Sequence, residues 1–509
     1  MERQRILITS ALVRACIALA ACNGPSSSDL DQATAGADGA ATAGRTGTAG
    51  STTGSSGIGT AGLGTAGMGT AGTGTVGSGT AAMGTAGRGT ASRGTAGKGT
   101  AGMGTADSGF GGTGTGVGGG SGGPPAASEE DDGADCAVTG LPASGSLPTL
   151  AKLPDPFKKL DGMRMSTKAE WRCRREEIKQ QAEKYAFGTK PAKPQSVTGT
   201  VSNTSISVNV MDNGKSTSFS ATITLPKGGS APYPSIVVYG GAGFGAPLDT
   251  SVIDSEGVAL INYDPYATGK EGTQRNNKQG AFYTIAGSNS STGLLVAWAW
   301  GVSRIIDVIA QSDGKLLKAD GVGVTGCSRF GKGAFIAGVF DQRIALTMPI
   351  ESGSGGVPIW RGIPGEGAQS LSSAYGEQPW FGDAFTAFTG SPTKAPLDTH
   401  ELVAMVAPRG LFIMDNPHIA NLGPKSAHAA ALAGAEVYKA LGAGDNITYY
   451  SDVQNGSHCS QRPEWSAPLK SNIERFLKKT GNSPGVIKAS ASATSKLSDW
   501  SDWTTPTLN

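Results

Sequence analysis

Histidine, excess charge and long apolar runs are all scarce in this chain, and each shortage narrows what it can do. Four histidines in 509 residues leave few candidates for a general base. No His pair or Cys-x-x-Cys accompanies them, so a metal centre is not expected. Lys and Arg total 42 against 40 Asp and Glu, a formal net charge of +2, which provides no basic footprint for nucleic acid. Beyond the first 22 residues no stretch is expected to be long and apolar enough to span a bilayer.

Glycine, by contrast, is in excess at 79 residues, concentrated in one region. From about Ala33 to Gly123 the chain is almost wholly Gly, Thr, Ala and Ser, with a period near five. Nothing there can form a core, so residues 23–133 are expected to be a disordered tether, with Glu129 to Asp132 as a solvated acidic boundary. Ahead of it, residues 1–22 carry Arg3 and Arg5, an apolar run and then Leu19-Ala20-Ala21-Cys22, the form of an export signal ending in a lipobox. Cys22 would then be lipidated, tethering a cell-surface protein to a membrane, with plain secretion as the alternative. Excluding Cys16 and Cys22, four of the six cysteines remain, Cys136, Cys173, Cys327 and Cys459. An even number in an exported domain suggests two disulfides, whose connectivity the spacing leaves open.

Residues 134–509 read as one large α/β domain. Thr167 to Glu170 form a capping box before a helix at Trp171–Ile178. Partly alternating runs at Ser205–Val210 and Ser218–Leu225 flank Asn213-Gly214, predicting an antiparallel hairpin. Short apolar runs at Ser235–Tyr239, Gly257–Asn262, Gly321–Thr325, Ile344–Ile350, Gly410–Met414 and Ile447–Ser451 read as strands buried on both faces. Helical patterns lie among them: Leu294, Leu295, Trp298, Val302, Ile305, Ile306 and Ile309, then Gly331–Phe340, Ala429–Leu441 and Glu464–Lys479. Strands alternating with helices predict a mostly parallel sheet, with chemistry at the carboxyl ends of its strands.

One strand end stands out. Gly321-Val-Gly-Val-Thr-Gly-Cys-Ser-Arg-Phe-Gly-Lys-Gly-Ala334 reads as strand, sharp turn and helix start, with Ser328 at the turn. Gly326 and Gly331 give room for a strained backbone, as a nucleophile elbow needs, although Phe330 stands where the second glycine of Gly-x-Ser-x-Gly belongs. From these residues alone, Ser328 reads equally as a helix N-cap. The strand-end rule supplies the missing members. Glu351 follows one strand, Asp415 follows the next, and His458 lies in the loop after the last, in the order Ser, acid, His. His400, His418 and His428 are less well placed, which makes His458 the expected general base.

With these residues assembled, the sequence resembles the glucuronoyl esterases of carbohydrate esterase family 15, in its bacterial branch. The carrying motifs are Gly326–Lys332, Pro349-Ile-Glu-Ser-Gly-Ser-Gly-Gly356, Ala297–Asp307 and His458-Cys459, supported by Leu153–Phe157, Trp171–Arg175, Asp398–Leu402 and Ala407–Arg409. The resemblance implies an α/β-hydrolase three-layer sandwich whose mostly parallel central sheet is antiparallel at its N-terminal edge. It also implies a monomeric serine esterase, without metal or other cofactor, that cleaves esters between 4-O-methyl-glucuronic acid of glucuronoxylan and lignin alcohols. By position, Ser328 would be the nucleophile, His458 the base, Glu351 the orienting acid with Asp415 as alternative, and Arg329 an oxyanion donor. Lys332, Gln369 and Glu377 match sugar-binding positions, and Asn421 stands where the family usually has tryptophan. The pairings Cys327–Cys459 and Cys136–Cys173 follow from the same resemblance. A broader uronate or alkyl ester hydrolase and a non-catalytic carbohydrate-binding protein are the competing readings.

Overall fold

The computed structural model describes residues 129–509 except 242–244 and 455. The export signal, Cys22 and the Gly/Thr/Ala repeat lie outside the described residues. Among the described residues ten strands form one sheet: β1 (Ser196–Val201), β2 (Ser205–Asp212), β3 (Lys215–Thr224), β4 (Tyr233–Tyr239), β5 (Ala259–Tyr263), β6 (Leu317–Cys327), β7 (Leu346–Ile350), β8 (Gly410–Met414), β9 (Ile447–Tyr450) and β10 (Ile487–Lys488). Their order is β1-β2-β3-β5-β4-β6-β7-β8-β9-β10. β1, β2 and β3 pair antiparallel, as do β3 and β5, and every other pair is parallel. Helices cover both faces of the parallel part, the arrangement of an α/β-hydrolase.

Local chemistry explains the elements. Asn213 and Gly214 both adopt positive φ, 49° and 75°, as the two-residue turn joining β2 to β3 requires. Thr167 and Glu170 cap each other's backbone, and the helix Trp171–Ala182 follows directly. Val237, Val324 and Met348 are completely buried, which is why these strands carry no polar alternation. The helix Leu294–Gln311 is, by length and hydropathy, apolar enough to cross a membrane, contrary to expectation, but it is 89% buried inside the protein and serves as a core helix. The sequence reading also passed over β1 and β10. The terminal segment packs back on the domain: the Leu153 and Asn509 amides donate to the carbonyls of Trp500 and Ser166, and the Trp503 ring meets Phe157 edge-on at 5.9 Å.

Of the acidic stretch at 129–132, Glu129 is exposed as a solvated boundary would be, but the three acids after it are paired. Glu130 is buried and bonded to Lys190 and Arg304, and Arg343 lies 3.3 Å from it. Asp131 reaches Lys179 at 3.0 Å, and Asp132 reaches Arg172 at 2.7 Å and Arg175 at 2.5 Å. Burial alone would raise the Glu130 carboxyl, but Lys190, Arg304 and Arg343 together hold it far below the ordinary carboxylate range. These acids thus pack against the domain, their carboxylates paired with Lys190, Arg304, Lys179, Arg172 and Arg175. Cys136–Cys173, with Cα atoms 5.4 Å apart, fixes this segment to the helix Trp171–Ala182.

Breaking a buried ion pair from one side leaves an uncompensated charge, at a cost of about 3–5 kcal/mol. Glu130→Gln is therefore expected to lower unfolding free energy by about that amount in urea titration at pH 7. A change under about 0.5 kcal/mol, the range of an ordinary surface substitution, would show that Glu130 is solvated after all.

Candidate active site

β6 ends at Cys327 and the helix Arg329–Phe340 starts two residues on, with Ser328 between them at φ 59° and ψ −126°. A non-glycine residue in that region stores about 1–3 kcal/mol, so the surroundings must hold it there. They do so through backbone bonds. The Ser328 amide donates to the Ile350 carbonyl at 2.9 Å, the Ser328 carbonyl accepts from the Lys332 amide at 3.0 Å, and the Cys327 amide donates to Gly245 at 2.7 Å. Two glycines make the turn possible. A Cβ on Gly326 would sit 2.5 Å from the Phe330 carbonyl oxygen, and one on Gly331 would sit 2.5 Å from the Ile350 oxygen. The second glycine comes one residue late because Gly331, not position 330, faces the end of β7. Phe330 packs instead on Gly240, where a Cβ would lie 2.5 Å from its ring.

Glu351, the first residue after β7, also has positive φ, 45°, and its amide donates to the Met414 carbonyl at 2.8 Å. Its carboxylate is fully buried and accepts three hydrogen bonds: from His458 Nδ1 at 2.6 Å and the Cys459 amide at 2.9 Å to Oε2, and from Arg462 Nη2 at 3.2 Å to Oε1. Donation from Nδ1 leaves Nε2 of the neutral ring as the proton acceptor. The disulfide Cys327–Cys459, with Cα atoms 5.9 Å apart, joins the residue before Ser328 to the residue after His458. Ligand atoms of Cys327, Glu351, His458 and Cys459 gather within 4.8 Å. Their sulfurs are joined to each other and the carboxylate is occupied, so this donor set does not fit a metal ion.

Asp415, the alternative acid, is placed differently. It follows β8, but its oxygens take the Asn416 amide at 2.9 Å and the Tyr449 hydroxyl at 3.4 Å, while the His458 Nδ1 bond goes to Glu351. Burial, with Glu351 nearby, pushes its carboxyl up to about 7. The other histidines are tied to the main chain: His400 Nε2 to Pro154, His418 Nε2 to Val453, and His428 Nδ1 to the Ser495 amide, each at 2.9 Å.

Ser328 and His458 line one cavity of about 260 Å³ with Arg329, Lys332, Gln369, Glu377, Trp380 and Asn421. Lys332 is buried; its Nζ donates to the Ser352 carbonyl at 2.7 Å and stands 5.2 Å from the Trp380 ring centre. Burial pushes its ammonium down to about 8, against the attraction of Glu377. Gln369 donates to Glu377 at 2.7 Å, and its amide donates to the Asn421 carbonyl at 3.1 Å. Arg329 is held by Glu271 at 2.9 Å. Glu271 also accepts from the Tyr266 hydroxyl at 2.8 Å and from Trp380 Nε1 at 2.5 Å. Sequence reasoning missed Glu271, Trp380 and Arg462. Glu271 and Arg462 are single loop charges without a motif, and tryptophans read as core.

A family model described as glucuronyl esterase, fungi, matches residues 208–442. The chain is 38% identical over 382 residues to the 4-O-methyl-glucuronoyl methylesterase of Hypocrea jecorina, covering 74% of this chain and 80% of that protein. It is 39% identical to the enzyme of the same name from Neurospora crassa, covering 72% of this chain and 92% of the relative. The chain belongs to the glucuronoyl esterase family. A solved glucuronoyl esterase from Sporotrichum thermophile, a serine-to-alanine mutant in complex with methyl 4-O-methyl-beta-D-glucopyranuronate, superposes with a TM-score of 0.65 at 37% identity, covering 71% of this chain and 97% of that one. The bacterial affinity expected from sequence is corrected, since these glucuronoyl esterases are fungal.

The geometry separates the two acids. Glu351→Gln, which keeps the shape but reverses the polarity facing Nδ1, is expected to cut kcat by about 10³–10⁴, whereas Asp415→Asn should cost less than tenfold. Asp415→Asn should also change stability with pH. The folded carboxyl titrates at about 7 against an ordinary 3.8, so the unfolded chain ionises first, and native Asp415 progressively destabilises the fold between those values. The variant is therefore expected to gain stability over wild type at pH 8 and to gain none below pH 3.8, read by denaturant midpoints across that range. A larger kcat loss for Asp415→Asn than for Glu351→Gln would reverse the assignment.

Proposed function

We propose that this glucuronoyl esterase hydrolyses esters of glucuronic acid, the natural substrate being the bond between (4-O-methyl-)glucuronate on xylan and a lignin alcohol. The observation that carries this reading is the 2.6 Å hydrogen bond from His458 Nδ1 to Glu351, beside a strained Ser328 in a cavity lined by polar side chains. Ser328 Oγ attacks the ester carbonyl carbon as His458 Nε2 takes its proton. Negative charge then develops on the carbonyl oxygen, and the amide of Arg329 at the helix start stabilises it. Collapse expels the alcohol, which takes the proton from His458, leaving glucuronoyl on Ser328. Water enters by the same route in reverse and releases the acid.

Glu351 acts by fixing the imidazole tautomer and balancing the imidazolium that forms, and the Cys459 amide and Arg462 keep its carboxylate in place. The sugar hydroxyls donate and accept, and the Lys332, Gln369 and Glu377 group offers a cation, an amide and a carboxylate to match them. Trp380 supplies an apolar wall beside Lys332, while Asn421 adds a polar side chain to the lining of the same cavity. The reaction draws on no metal. Two disulfides suit an oxidising compartment, consistent with export. Export through residues 1–22, lipidation of Cys22 and a monomeric catalytic unit complete the proposal.

Hydrolysis of benzyl glucuronate beside para-nitrophenyl acetate tests it. Wild type is expected to cleave the glucuronate ester with little acetate turnover, and Ser328→Ala to lose about 10⁴-fold or more in kcat. Acetate turnover alone would point to a general esterase. Sugar binding without turnover in wild type would make the protein a lectin-like module.

A further inference from the structure

A second cavity, of about 560 Å³, lies under the amino ends of β6, β7, β8 and β9, at the opposite end of the sheet from Ser328 and Glu351. Its volume is in the range of small-ligand sites. The walls mix apolar surface, including Ile306, Ala310 and Phe476, with cations: Arg175, Arg343, Arg409, Arg475 and Lys479. Most of that charge is matched. Arg175 pairs with Asp132 at 2.5 Å, Arg343 with Asp307 at 2.6 Å and Asp341 at 2.7 Å, and Lys479 with Asp320.

Two cations are left over. Arg475 makes no ion pair or hydrogen bond among the described residues. Arg409 meets no carboxylate. Its Nη1 donates to the Asp341 and Ile344 carbonyls at 3.1 and 3.0 Å, and its Nη2 to Gly338 and Met405 at 2.7 and 3.2 Å. Its Nε is sealed from solvent without a partner. Burial, reinforced by the neighbouring Arg175, pushes its guanidinium down to about 10. Its nearest counter-charge is Asp341, which attracts it without an ion pair and is already bound to Arg343, so a guanidinium desolvated to that extent would gain from a further anion.

We infer that this cavity is a second binding site, distinct from the esterase centre, for a small carboxylate carried on a ring. The carboxylate engages the Arg409 and Arg475 side of the cavity, and the ring lies against Phe476 and Ile306. Two sources share that chemistry, a uronic acid and a phenolic aromatic acid. Both are fragments of the polymers on which the proposed esterase reaction would operate, although the site's existence rests on its own residues and not on that reaction.

The test is calorimetric titration of the full chain with glucuronate and, separately, with 4-hydroxycinnamate. Two variants leave the esterase centre untouched: Arg475→Glu reverses an exposed charge, and Ala310→Trp fills the cavity from the surface of the helix Leu294–Gln311. At least one acid is expected to bind wild type and to weaken tenfold or more in both variants, while kcat/KM on benzyl glucuronate stays within twofold. Which acid does so names the source. Loss with Arg475→Glu alone would still support the site, because the charge carries recognition. Binding of neither acid, or binding equally strong in Arg475→Glu, would overturn the inference. The second result would place any bound glucuronate in the catalytic cavity.

Discussion

The Glu351 carboxylate is the interaction on which the rest of the catalytic structure depends. It is completely buried, and it reconciles that burial by accepting hydrogen bonds from an imidazole, a backbone amide and a guanidinium at once. Each donor comes from the loop and turn after β9, so one charged group at the end of β7 organises the segment that carries the base. Without these donors the buried carboxylate would be left unpaired at a large desolvation cost, and the imidazole would lose its orientation.

Strain collects around the same centre. Among the described residues, five non-glycine residues have positive φ, and three of them are Ser328, Glu351 and Cys459. Such conformations persist where neighbouring structure over-determines them, and here parallel strand ends, close-packed Gly326 and Gly331, and the Cys327–Cys459 disulfide share the task. The disulfide closes a loop of sequence separation 132, so nucleophile and base are linked through the side chains of their immediate neighbours as well as through the intervening chain. A catalytic serine and its base must meet within a fraction of an ångström, and loops alone hold such distances poorly.

Much of this was legible in the sequence because an α/β sheet exposes its strand ends in chain order. Buried strands left short apolar runs, and Ser328, Glu351, Asp415 and His458 each fell just past one. Choosing between Glu351 and Asp415 was beyond that rule, since both follow strands and only the direction of approach of the His458 loop separates them. The displaced glycine of the elbow was visible, but its reason, the passage of the end of β7 beneath Gly331, is a tertiary contact. Glu130 was misread for a related cause. Four consecutive acids after a Gly-rich tether look solvated, and the cations that bury one of them, Lys190, Arg304 and Arg343, are far away in sequence. Glu271 and Arg462 left no local signal, and two-residue β10 is too short to carry a pattern.

The central claim is that Ser328 becomes acylated while Glu351 holds His458 to shuttle its proton. Rapid quenching in acid during turnover of benzyl glucuronate, followed by peptide mass mapping, tests it directly. The account predicts a glucuronoyl adduct on the peptide bearing Ser328 that appears before steady state and disappears as substrate is exhausted. An adduct on any other residue would contradict it. So would wild-type turnover with no adduct on Ser328 at any quench time.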